Sequence, residues 1–141
     1  MLAPKRIVHK KVHKPSTRHG TLQRGSTLEV GTIGLKAITA SWLTSRQIEA
    51  ARMSISRRTK GGVVHTRVFP SQPVTAKGLN MPMGKGVGAI DYFMFPVKPG
   101  RIIFEVSGIE DESIVREAFR IAAHKLPFRC KIISKKTTLF S

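Results

Sequence analysis

Acidic side chains are scarce in this chain. Eight Asp and Glu stand against 25 Lys and Arg over 141 residues, a formal net charge of +17 and a pI near 11.2. Such an excess repels itself in the free chain and is relieved by a polyanion, whose condensed counterions are displaced on binding. The imbalance is uneven: residues 1–90 hold 16 basic and 2 acidic side chains, and residues 91–141 hold 9 and 6. Membrane-surface binding would need bulky apolar residues opposite the cations, and the basic N-terminus has almost none. Nucleic acid is the partner this charge distribution favours.

Other shortages narrow the field further. Cys130 is the single cysteine, so an intrachain disulfide is excluded and a reducing compartment fits. No apolar run approaches the roughly 18 residues of a transmembrane helix, and no signal-peptide core is present. Aromatics make up 6% of the chain, too few for a base-stacking module. No internal repeat occurs, and no paired carboxylates, nucleophile beside a histidine or metal cluster converge. Glu110, Asp111 and Glu112 cluster, but at a helix start where capping explains them. His9 and His13 share an i, i+4 spacing without an intervening Glu and among lysines, which disfavours zinc. We therefore expect no enzyme, no metal and no cofactor.

What is present divides into a basic arm, one globular α+β domain and a short tail, at 1–25, 26–133 and 134–141. Lys5, Arg6, Lys10, Lys11, His13, Lys14, Arg18 and Arg24 crowd the arm, while Pro4, Pro15, Gly20 and Gly25 break any helix. With little to bury, the arm is expected to order on RNA. Its Ser and Thr content and lack of acids also fit an organelle transit peptide.

In the domain, Leu28 and Val30, then Ile33, Leu35 and Ala37, predict a strand over 26–39 with a bulge near Gly31. Ser41–Leu43 is expected to lead into a helix that opens on a capping box, Thr44 to Gln47. Ile48, Ala51 and Ile55 fall on its inner face, with Arg46, Arg52, Arg57 and Arg58 outside or on the flanks as RNA contacts. Residues 63–69 predict a strand that presents Arg67, and Pro70 and Pro73 a loop to about residue 88. Residues 89–95 and 101–107 predict a hairpin around Lys98-Pro99-Gly100. A second helix at about 111–126, capped by Asp111, and a last strand at 128–133 complete the pattern. The fold expected is a sandwich of two helices on a mixed, mainly antiparallel sheet.

Gly84-Lys85-Gly86-Val87-Gly88 matches neither a P-loop nor a dinucleotide fingerprint, since the spacing is wrong and a strand follows where a helix should. It is either a glycine loop without a ligand or one whose bare backbone approaches phosphate, with Lys85 supplying charge. The net charge favours the second.

These segments together resemble the bacterial-type family of large-subunit ribosomal protein sixteen, organelle forms included. The similarity rests on Met1-Leu2-Ala3-Pro4-Lys5-Arg6, His13-Lys14, Gly34-Leu35-Lys36-Ala37, Leu43 through Arg52, Arg67-Val68-Phe69-Pro70, Met83-Gly84-Lys85-Gly86, Pro99-Gly100-Arg101, and Arg116 through Pro127. The resemblance implies binding to large-subunit rRNA between the central protuberance and the peptidyl-transferase region, with Lys36 among the contacts, and a role in subunit assembly. It implies neighbouring large-subunit proteins; no membrane partner and no homo-oligomer are expected. It also implies a place beside the A-site tRNA, reaching toward the P site, with Met83, Gly84, Lys85 and Gly86 facing the functional centre. Pro82 and Val87 stand where the family usually carries Arg and Lys, so the hydroxylation that bacteria can place on that Arg has no target here. A resemblance that begins at Met1 makes the arm part of the mature protein. An unextended start suits a bacterial or organelle-encoded protein, and the drift from the bacterial pattern favours a mitochondrial one over a bacterial cytoplasmic or plastid one.

Overall fold

The computed structural model describes residues 2–14, 20–22, 24–84 and 86–135. Among them the elements run β1 (Ile33–Ala37), β2 (Ser41–Thr44), α1 (Ser45–Arg58), β3 (Val63–Thr66), β4 (Gln72–Ala76), β5 (Ala89–Val97), β6 (Ile102–Ser107), α2 (Glu112–Ala123) and β7 (Cys130–Ser134). The α+β architecture is the one expected, with two helices packed on antiparallel strands. The strands form two sheets rather than one, a four-stranded sheet in the order β3-β6-β1-β7 and a three-stranded sheet in the order β2-β5-β4.

Both helices begin where their side chains satisfy orphan amides. Thr44 Oγ1 accepts from Gln47 N, and Gln47 Oε1 accepts from Thr44 N, so the capping box closes in both directions. Asp111 Oδ1 accepts from Ser113 N at 2.8 Å and from the Ser113 hydroxyl, which holds its carboxyl below the usual carboxylate range. Ile48, Ala51 and Ile55 of α1 and Val115, Ala118, Phe119 and Ala122 of α2 are buried, as their spacing requires. They meet Ile33, Leu35, Phe104 and Val106 in one core. Full burial of a side chain such as Phe119 stabilises by about 1.5–3 kcal/mol.

Four expectations needed correction. Residues 26–32 are not strand; β1 starts at Ile33, and its irregularity against β6 falls between Leu35 and Lys36. Ser41–Thr44 is itself a strand, paired with Val97–Met94. Pro73 lies inside β4 instead of in a loop, because β4 is an edge strand and an edge tolerates a missing donor. Finally, β5 and β6 do not form a hairpin. The turn is there, with Gly100 at φ +93° and Arg101 N bonded to Lys98 O at 3.3 Å, but β5 pairs with β2 and β4 while β6 pairs with β1 and β3. The turn instead carries the chain from one sheet to the other. Gly100 N bonds Ala37 O and Pro99 O accepts from Leu22 N, each at 2.8 Å.

Candidate nucleic-acid interface

The arm touches the domain at several separate points. Leu2 packs against the core and shares a cleft of about 420 Å³ with Glu49, Arg52, Thr66, Arg67, Val68 and Phe69. Further along, Lys14 Nζ stands 4.9 Å from the centre of the half-buried Trp42 ring on β2, a cation–π contact. Residues 11–14 also line a groove with Val87, so the arm passes beside the glycine loop. Between these anchors Lys5, Arg6, Lys10, Lys11, His13 and Lys14 are exposed, and Arg24 is exposed where the arm joins the domain. Arg18 and Lys85 lie outside the described residues. Lys36 is half-buried and its ammonium donates to Ser26 O at 3.2 Å, which ties β1 to the arm's end.

The four arginines of α1 separate into two kinds. Arg46, Arg57 and Arg58 are exposed, and no carboxylate lies within salt-bridge distance of them among the described residues. Arg57 and Arg58 occupy the last turn, where the helix dipole favours cations. Arg58 also stands near enough to Glu117, behind Arg120, to help lower that carboxyl's pKa. Arg52 instead grips Glu49 through Nε at 3.2 and 3.1 Å to its two oxygens, and this hydrogen bond lowers the Glu49 pKa and raises that of Arg52. On α2 every arginine is paired: Arg116 with Glu112 and Arg120 with Glu117, each at 3.0 Å. Uncompensated charge therefore sits on the arm and the outer side of α1, and among the described residues also on Lys60, Lys98, Lys125, Arg129, Lys131 and Lys135.

Arg67 is the clearest departure from its expected setting. Its side chain is 20% exposed and bridges Glu29 at 2.6 Å and Glu105 at 2.8 Å. Glu105 is fully buried in the middle of β6. Its Oε2 accepts from three consecutive amides, Glu29 N at 3.3 Å, Val30 N at 2.9 Å and Gly31 N at 2.8 Å. Burial pushes the carboxyl up, but the Gly31 and Val30 amides, the Arg67 charge and the Glu29 amide outweigh it and hold the pKa below the usual carboxylate range. Residues 29–31 thus wrap a carboxylate where strand pairing was expected. Sequence reasoning missed this anchor. The available signal was a glutamate inside the apolar run Ile102–Val106, which is costly to bury unless paired.

The glycine loop joins β4 to β5. Met83 and Gly84 are exposed, and Gly84 and Gly86 hold φ values of +143° and +131° with open space where a Cβ would stand. Among the described residues, no group of three or more His, Cys, Asp or Glu is placed to hold a metal ion. Cys130 is half-buried and burial pushes its thiol up to about 11, as suits a core residue.

The family model described as ribosomal protein L16p/L10e matches residues 4–133. The chain belongs to this family. It is also 45% identical over 137 residues to the large ribosomal subunit protein uL16 of Exiguobacterium sibiricum, covering 96% of this chain and 93% of that one. Membership in the L16p/L10e family makes the chain a ribosomal protein of the large subunit, a structural constituent and not an enzyme. The matched stretch takes in most of the arm, both helices and the glycine loop, so the features just described belong to the family region.

Proposed function

We propose that this L16p/L10e-family chain binds large-subunit rRNA through its arm and the outer side of α1, beside neighbouring large-subunit proteins. The observation that carries the reading is the partition of charge. Exposed cations without a carboxylate partner are most numerous on Lys5–Lys14, Arg24, Arg46, Arg57 and Arg58, with others at Lys60, Lys98, Lys125, Arg129, Lys131 and Lys135, while the arginines of α2 are neutralised within the chain. Phosphate contacts of this kind position a protein, and RNA shape supplies the specificity. Lys36, Arg52 and Arg67 serve mainly to hold the domain together on this reading, and Arg18 joins the arm's contacts by sequence. The binding region lies between the central protuberance and the peptidyl-transferase region, and the chain supports subunit assembly there. The glycine loop, Met83 to Gly86, faces A-site tRNA and reaches toward the P site. The ribosome is of bacterial type, and its setting mitochondrial.

Removing residues 1–24 tests the main claim. A soluble domain with at least about tenfold weaker rRNA binding in a filter-binding titration is expected; unchanged affinity contradicts it. Sedimentation of the native lysate separates this reading from a free RNA-binding regulator, since a subunit constituent stays with the large particle. Fractionation of the source cell tests the mitochondrial setting.

A further inference from the structure

We infer that Lys77 is a positioning residue that holds the glycine loop in the shape it offers to tRNA. The inference rests on the proposed tRNA-facing reading of that loop. Lys77 follows β4 directly, and the loop returns to β5 through Gly88. At Gly88 the two ends are pinched together: a Cβ there would lie 2.1 Å from Ala76 O and 2.9 Å from Lys77 N. From this closed neck the Lys77 ammonium reaches across the loop, donating to Pro82 O at 3.3 Å and Gly84 O at 3.0 Å. A turn bond from Met81 N to Gly78 O at 3.1 Å lies between.

With the cation turned inward, the apolar side chains face out. Leu79, Met81 and Met83 are 105%, 69% and 95% exposed, so the loop has no core of its own to fix its shape. A loop without buried surface would otherwise lose conformational entropy at the moment of binding. Two carbonyls held by one ammonium meet part of that cost before a ligand arrives. The loop therefore meets its partner with Leu79, Met81 and Met83 already displayed, and Lys77 acts through them without touching the partner.

The test uses full-length protein and large subunits reconstituted with it. Lys77→Met keeps the aliphatic stem and removes the donor; Lys77→Arg keeps a donor. For Lys77→Met, exchange at the Met81 amide is expected to rise and tRNA affinity of the particle to fall, each about 3- to 10-fold, with incorporation into the subunit unchanged. Lys77→Arg should recover most of both losses, which a mere loss of packing would not allow. Unchanged exchange in Lys77→Met removes the tether. Faster exchange with unchanged tRNA affinity shows that the tether positions nothing. Replacing residues 78–87 with a short Gly-Ser linker tests the underlying reading separately. Affinity should fall at least as far as in Lys77→Met, and an unchanged value refutes the tRNA-facing role itself.

Discussion

Arg67 Nη1 stands 2.8 Å from Oε1 of Glu105, a carboxylate with no exposed surface, and the other oxygen of Glu105 is held by three successive amides. This one group joins β6, the residue that follows β3 and the segment ahead of β1. It fixes the segment that follows the arm, so the stability of the domain and the placement of the arm share an anchor.

Glu105→Gln should therefore lower stability by about 1–3 kcal/mol near neutral pH, since Arg67 keeps Glu29 but loses its buried partner, and the three amides lose a charged acceptor. The folded-state pKa of Glu105 lies below the ordinary 4.5. Its contribution is thus complete above that value and is lost as pH falls through the lowered one. Urea unfolding at pH 7 and at pH 3 should show the gap between wild type and Glu105→Gln closing at the acidic end. A gap that stays constant would refute the charge-based account.

Gly31→Ala should damage the same anchor sterically. An added Cβ would lie 2.7 Å from Glu105 Cβ and 2.8 Å from Val106 O, on a strand paired on both sides, with β1 and β3. A loss of about 1–3 kcal/mol is expected. Gly78→Ala, where a Cβ meets nothing within 4 Å, serves as the control and should stay within about 0.5 kcal/mol. Thermal melts of the two variants decide it.

Arginines on the two helices should differ in their effect on RNA. Arg46→Gln and Arg57→Gln should each weaken rRNA binding and reduce the salt slope by about 0.7 to 0.9. Arg116→Gln and Arg120→Gln, whose charges are already paired, should leave the slope unchanged. Arg67→Gln should act differently from both, lowering the urea midpoint of the free protein. Titrations at several salt concentrations, beside denaturation curves, separate the three behaviours.

Cys130 should resist alkylation in the folded protein. Its thiol titrates at about 11 against an ordinary 9.0, so the thiolate fraction at pH 8 is about 100-fold lower than in the unfolded chain. Iodoacetamide labelling should be slow in buffer and fast in concentrated urea. Equal rates would show that the thiol is not shielded between α2 and β7.

Local chemistry was legible in the residues alone. The Thr44–Gln47 box, the Asp111 cap, the apolar stripes of both helices and the turn at Lys98–Gly100 depend on neighbours a few positions apart, and each is present. The cationic arm and the glycine loop were equally visible, because charge and glycine content need no partner to be counted.

Contacts between distant positions had to wait for the tertiary structure. Alternation in 89–97 and 102–107 suits two strands but cannot say which neighbours they take, and here the chain changes sheets between them. Likewise Glu105 and Arg67 look like outward-facing charges until residues 29–31 close over the carboxylate, more than 70 positions away. Periodicity records which side of an element is apolar. Only packing decides which cations are neutralised inside the fold and which stay exposed without a partner.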